Sequence, residues 1–143
     1  MDNTTYNIPP CYYRISVKAL IHNNEGKFLL VKEENWLWEL PWWWVEYGEN
    51  LQECLKREII EEMWLETTYI ADEPSYFFTS TNLKWRNIAN ALYETKVSHY
   101  DFKSSEECIA IWFFTLEEAQ ELETYPNIQE FLKHYNPDNH VHP

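Results

Sequence analysis

The alternation of apolar and polar positions predicts a hairpin and a further strand at the start of the chain. The predicted strands cover 15–21, 27–31 and 36–40. The first is apolar except at Lys18, which indicates a largely buried strand. Gly26 supplies the positive φ that a tight turn between the first two strands requires. Pro41 ends the third strand because proline cannot donate to a sheet.

A helix over 50–63 is the clearest single element of the pattern. Asn50 is a favourable N-cap, and Glu53 three residues later completes a capping box. The remaining strand candidates are 67–71, 75–79, 87–96 and 109–114, and two short acidic helices follow at 116–122 and 128–134. Strands interleaved with few helices predict an α/β (α+β) sandwich with a mixed β-sheet.

The 143-residue length suits a single domain. We expect an N-terminal arm over 1–11, the domain over 12–135 and a polar C-terminal tail over 136–143. The longest apolar run, 108–114, is far shorter than the roughly 18 residues that a membrane-spanning helix needs. With no signal-peptide pattern visible, the expected location is cytoplasmic and no membrane partner is expected.

Charge restricts the partners of the chain. Eleven Lys and Arg residues against 24 Asp and Glu residues give a net charge of −13. Such a protein repels a phosphate backbone, so we expect no nucleic acid polymer as a partner. A small phosphorylated substrate remains compatible with this charge if a metal ion screens it locally.

The helix over 50–63 carries carboxylates on its apolar side. On a helical wheel, Glu58 and Glu62 fall inside the arc of core residues and Glu61 falls at its edge. An acidic run on a helix is often only a solvated face. Partly buried carboxylates four residues apart repel each other, however, and a cation would compensate for that cost. Oxygen ligands select Mg²⁺ or Mn²⁺, so the second interpretation is a divalent-cation site.

Residues 43–65 resemble the Nudix box, Gx5Ex7REUxEExGU, in which U is aliphatic. Seven positions match at the required spacing: Glu49, Arg57, Glu58, Ile59, Glu61, Glu62 and Leu65. The WELP sequence before the box and the IWFFTLEEA sequence near the end are also similar to the family. The resemblance covers roughly residues 12–135.

Two fixed glycines of the box are tryptophan in this chain. Trp43 and Trp64 replace them, and Trp42 lies where many relatives carry another glycine. The whole chain has two glycines and eight tryptophans. A side chain with a β-carbon costs about 1–2 kcal/mol at a positive φ, so we expect backbone strain at Trp43 and Trp64.

The resemblance implies a metal-dependent hydrolase of nucleoside diphosphates linked to another moiety, on an α/β/α sandwich. It implies that Glu58, Glu61 and Glu62 bind Mg²⁺ (or Mn²⁺). It also assigns catalytic roles to Arg57, Glu58 and Glu61, with Arg57 orienting a carboxylate and Glu61 as a further ligand or a water-activating group. Glu49 would make a structural or outer contact.

Several positions keep two interpretations. Arg14 and Lys32 could contact substrate phosphates or lie on a solvated surface. The general base could be a glutamate of the box or a late-loop carboxylate, Glu106 or Glu107. A homodimer stays open. The tryptophans motivate an alternative function, a catalytically impaired Nudix-fold module that binds nucleotides or another protein.

Overall fold

The structure, a computed structural model, describes residues 11–141. In this range, eight strands and three α-helices are present. The strands are β1 (Arg14–Leu20), β2 (Phe28–Glu33), β3 (Trp38–Glu39), β4 (Trp42–Trp44), β5 (Thr67–Ile70), β6 (Tyr76–Thr81), β7 (Asn87–Val97) and β8 (Cys108–Phe114). The helices are α1 (Leu51–Met63), α2 (Leu116–Gln120) and α3 (Pro126–His134). No helix within 11–141 is long and apolar enough to cross a membrane.

The strands form a larger mixed sheet and a smaller antiparallel one. The larger sheet has the order β4-β1-β7-β5, and β6 also pairs with β7. Strands β1 and β7 are parallel, whereas β4, β5 and β6 pair antiparallel to their neighbours. The smaller sheet has the order β3-β2-β8. The predicted sandwich with a mixed sheet is confirmed, and the structure adds the division into two sheets.

Helices α1 and α3 take part in two separate apolar clusters. Ile59 of α1 belongs to a cluster with Val17 of β1, and Phe131 of α3 to a second cluster with Leu20 of β1. Alternate residues of a strand point to opposite faces, so β1 contributes to the core on both of its sides. Lys18 lies on the same face of β1 as Leu20 and is fully buried although its side chain is charged.

The segment at the start of the box is a strand, where the sequence analysis predicted no regular element. Trp42, Trp43 and Trp44 pair antiparallel with β1. Aromatic side chains favour extended backbone, which explains the outcome. In the described part of the chain, the non-glycine residues with positive φ are Trp36, Trp64 and Trp85. The strain expected at Trp64 is confirmed by its φ of 60°. The expectation of strain at Trp43 is wrong, because Trp43 does not have a positive φ.

The C-terminal segment packs on the domain as far as it is described. Residues 137–139 form a 3-10 turn. His140 Nε2 lies 2.7 Å from the Tyr76 hydroxyl, and the Val141 N–H donates to Glu94 Oε2 at 2.9 Å. Of the expected N-terminal arm over 1–11, residues 1–10 lie outside the described range.

Candidate active site

Helix α1 presents the box carboxylates. The side chain of Asn50 accepts a hydrogen bond from the Glu53 N–H at 3.0 Å, which fixes the start of the helix. Glu58 and Glu62 are half-buried and Glu61 is exposed, in agreement with the helical wheel. The buried side of the helix anchors it, so these carboxylates lie at the border between core and solvent.

Arg57 forms ion pairs with three of the box carboxylates. Its Nη1 lies 2.9 Å from Glu58 Oε1 and 3.4 Å from Glu61 Oε2, and its Nη2 lies 3.6 Å from Glu49 Oε1. A guanidinium presents several donors in a fixed plane, so one arginine can fix several carboxylates at once. The arrangement suits the orienting role predicted for Arg57, and a catalytic role stays a prediction.

Glu62 carries the unpaired carboxylate of the group. Within residues 11–141 it has no hydrogen bond and no ion pair. Burial raises its pKa, and the neighbouring charges of Glu107, Glu58 and Glu61 raise it further. Glu107 lines the same cleft as Glu62, whereas Glu106 does not line it. Of the two late-loop candidates, Glu107 is therefore the one that faces the box.

The chemistry of these donors fits a hard divalent cation. All are carboxylate oxygens, and their mutual repulsion would be relieved by positive charge. In the described range, no three acidic, histidine or cysteine side chains converge closely enough to enclose an ion. Glu58 and Glu61 are turned toward Arg57 instead. The assignment of Glu58, Glu61 and Glu62 as metal ligands stays a prediction.

A cleft of about 310 Å³ opens beside Glu62. Its wall includes Glu33 at the end of β2 and the three tryptophans of β4, together with Cys108 at the start of β8. Burial raises the pKa of the Cys108 thiol to about 12, so this thiol stays protonated at neutral pH. The cleft therefore offers carboxylates, and no thiolate from Cys108, for chemistry.

The two basic residues proposed for phosphate contact interact with other side chains in the structure. Arg14 pairs with Glu46 at 3.2 Å and stacks over the Trp44 ring at 4.5 Å. Lys32 Nζ lies 4.5 Å from the centre of the Trp36 ring. Neither residue lines the 310 Å³ cleft. A contact with phosphate stays a prediction for both.

A second cavity, of about 430 Å³, adjoins the first and shares Trp42, Trp44 and Tyr125 with its wall. Its floor holds a buried ion pair in which Lys18 Nζ lies 3.5 Å from Glu39 Oε1, with side chains 1% and 3% exposed. Glu39 also accepts from the Leu40 N–H at 2.8 Å and from Asn127 Nδ2 at 2.7 Å. Burial lowers the pKa of Lys18 and raises that of Glu39, and each charge opposes the shift of the other.

The same cavity has buried polar atoms without a partner. Ser16 Oγ and Asn127 Oδ1 make no hydrogen bond in the described structure, and both residues line the cavity. Asn90, opposite Ser16 in the sheet, has an unpaired Oδ1 as well. Buried polar groups are nearly always satisfied, so the Ser16 and Asn127 oxygens have unused hydrogen-bonding capacity next to the cavity.

The second cavity was not predicted, although the sequence contains one signal of it. Lys18 interrupts an otherwise apolar strand, and a lysine at a core position needs a partner. That partner, Glu39, lies in WELP immediately before Leu40 and Pro41. Neither Ser16 nor Asn127 has a local pattern that would identify it.

Comparison with known proteins decides the family. The sequence model described as "NUDIX domain" matches residues 12–135. The chain belongs to the NUDIX domain family. The match includes the whole of α1, and membership of the Nudix family supports a pyrophosphohydrolase of nucleoside diphosphate derivatives in general.

Solved structures agree with this Nudix assignment. The MutT protein from Methanosarcina mazei Go1 is 26% identical, with 92% of this chain and 99% of that chain covered and a TM-score of 0.76. A NUDIX hydrolase from Nitrosomonas europaea is 18% identical, with 90% and 91% covered and a TM-score of 0.71. An ADP-ribose pyrophosphatase from Streptococcus suis is 21% identical, with 79% of each chain covered and a TM-score of 0.60. The last two show the fold alone. A search of curated proteins gave no match.

Proposed function

We propose that this Nudix protein is a metal-dependent pyrophosphohydrolase that cleaves the pyrophosphate linkage of a nucleoside diphosphate joined to another moiety. The observation that carries the proposal is the half-buried, unpaired Glu62 beside Glu58, Glu61 and Glu107 at a cleft. Such a concentration of carboxylates is costly unless a cation binds there. Mg²⁺ (or Mn²⁺) is the cation that an all-oxygen set favours.

The residues of α1 have different roles in the proposed reaction. Glu58, Glu61 and Glu62 would hold the cation, and Arg57 keeps Glu58 and Glu61 in place. A bound divalent cation would cancel phosphate charge and make an attacking water more acidic. Water then adds to one phosphorus while the bond from that phosphorus to the bridging oxygen breaks.

Two carboxylates are candidates to accept the proton from that water. Glu61 is exposed on α1, and Glu107 lies on the wall of the cleft facing Glu62. Of the late-loop pair, Glu107 is the better candidate because Glu106 lies off the cleft. A general base must come within hydrogen-bond reach of the water, and a position on the cleft wall makes that reach short.

The second cavity supports a nucleotide-type substrate. It adjoins the first cleft, its walls include Trp42 and Trp44, and it offers the unpaired Ser16 and Asn127 oxygens. Aromatic walls with a few polar groups are typical of small-molecule sites. The proposed substrate would place its phosphates beside α1 and its nucleoside toward this cavity. A cytoplasmic location and a homodimer stay predictions.

The test is phosphate release, coupled to a phosphatase, from nucleoside triphosphates, dinucleotides and nucleotide sugars with and without Mg²⁺. We expect release that depends on the metal and falls at least 100-fold in Glu62→Gln. Glu66→Gln is the matched control, because Glu66 is exposed just beyond the helix. Nucleotide binding without turnover would favour the alternative, a Nudix-fold module that binds nucleotides, and turnover by Glu62→Gln at the wild-type rate would refute the mechanism.

A further inference from the structure

The indole of Trp42 lies between the two cavities. Trp42 lies in the wall of both the 310 Å³ cleft and the 430 Å³ cavity, as do Glu34, Trp44 and Tyr125. Its Nε1 donates to Glu33 Oε2 at 3.2 Å, and Glu33 belongs to the cleft beside α1. Its ring faces Lys18 Nζ at 5.3 Å, and Lys18 belongs to the other cavity. One side chain therefore contacts a charged group of each cavity.

The indole is held in this position by several contacts. Besides the bond to Glu33 and the contact with Lys18, it packs edge-on against Trp44, with ring centres 4.9 Å apart. The backbone of Trp42 is paired with β1 at Lys18, which fixes the position of its Cα beside that residue. A large ring with a hydrogen bond, a cation–π contact and an aromatic neighbour is a fixed wall.

We propose that Trp42 is a specificity-determining partition, which separates the phosphate end of the site from the cavity for the nucleoside. The inference rests on the proposed function of the same site. With the indole in place, a ligand confined to the carboxylate cleft binds without hindrance. A ligand that must extend into the cavity lined by Ser16 and Asn127 has to displace the ring, at the cost of its contacts with Glu33 and Lys18.

Binding of two probes tests the partition. Methylenediphosphonate is a non-hydrolysable diphosphate that fits beside α1 alone, and α,β-methylene-ADP adds a nucleoside to the same diphosphate. Both are titrated calorimetrically, in the presence of Mg²⁺, into wild-type protein and Trp42→Gly. We expect the nucleotide to bind at least ten-fold more tightly to Trp42→Gly, with the affinity for methylenediphosphonate unchanged within two-fold.

A matched variant controls for the loss of a strand tryptophan. Trp112 lies on β8, an edge strand like β4, is 65% exposed and lines neither cavity. Trp112→Gly should therefore change neither affinity. Trp42→Ala is the second test variant, because alanine removes the indole while keeping a β-carbon in the strand. Far-UV circular dichroism and the melting temperature identify any variant that does not fold.

Each outcome decides a different claim. Equal nucleotide affinity in wild-type protein, Trp42→Gly and Trp42→Ala would overturn the partition, and so would an equal gain for both probes. If methylenediphosphonate bound to none of the proteins, wild type included, that result would instead count against the proposed function. A nucleotide gain in that case would leave the partition standing. Failure of both probes to bind any of the proteins would overturn both proposals.

Discussion

The buried pair of Lys18 and Glu39 gives a prediction whose magnitude can be worked out from the structure. Replacing Lys18 by methionine keeps the side-chain volume and removes the positive charge. Glu39 is then a buried carboxylate that still accepts from Leu40 and Asn127 but has lost its cation. We expect the free energy of unfolding at pH 7 to fall by about 3–5 kcal/mol, because breaking a buried pair leaves a charge uncompensated.

The distance supports this magnitude. At 3.5 Å and an effective dielectric constant of about 20, Coulomb's law gives an attraction of about 5 kcal/mol. Arg14 is the control, because it lies on the same strand and pairs with Glu46 at 3.2 Å with both side chains more than half exposed. Exposed pairs contribute about 0–1 kcal/mol, so Arg14→Met should cost at most that much.

The assay is urea unfolding followed by circular dichroism at several pH values. In Lys18→Met, the pKa of Glu39 in the folded state lies above its unfolded value, because burial is no longer opposed by a cation. The folded state then binds the extra proton, so the variant loses stability as pH rises above about 4.3, by up to about 1.4 kcal/mol per pH unit. Adding Glu39→Gln should restore most of the loss. A cost below 1 kcal/mol for Lys18→Met, or no recovery in the double variant, would refute this reasoning.

Two further predictions concern backbone strain and acid stability. Trp64 and Trp85 hold positive φ angles and are 58% and 84% exposed, so glycine at either position should raise the free energy of unfolding by about 1 kcal/mol, as read from urea midpoints. An unchanged or lower midpoint in both variants would contradict this. Burial lowers the pKa of His22 to about 4, so acidification from pH 7 to 5 should cost the wild type about 2 kcal/mol more than His22→Gln. Parallel pH profiles for the two proteins would show that His22 does not titrate in this way.

The sequence carried enough information for the sandwich and for the carboxylate helix. The spacing of apolar residues in α1 placed Glu58 and Glu62 inside the arc of core residues, and both side chains are half-buried in the structure. Periodicity suffices here because the helix buries one well-defined side. The box spacing likewise indicated the family, although two of its glycines are Trp43 and Trp64.

The second cavity could not be predicted because its residues are far apart in the chain. Ser16 on β1 and Asn127 on α3 line the same cavity only because of the position of α3 in the fold. The strand at Trp42–Trp44 was missed for a related reason, since three residues are too few to show a period. The role proposed for Trp42 depends on the second cavity and on this strand, so it could be inferred only from the structure.

The most direct test of the central claim is the dependence of the initial rate of phosphate release on Mg²⁺ concentration. It is measured on the best substrate of the panel, for wild-type protein, Glu62→Gln and Glu66→Gln. We expect a saturable rise in the rate for wild-type protein and Glu66→Gln, abolished by a chelator, and a rate at least 100-fold lower for Glu62→Gln. Release that persists without metal, or that is the same in Glu62→Gln as in wild-type protein, would contradict a cation held by the α1 carboxylates.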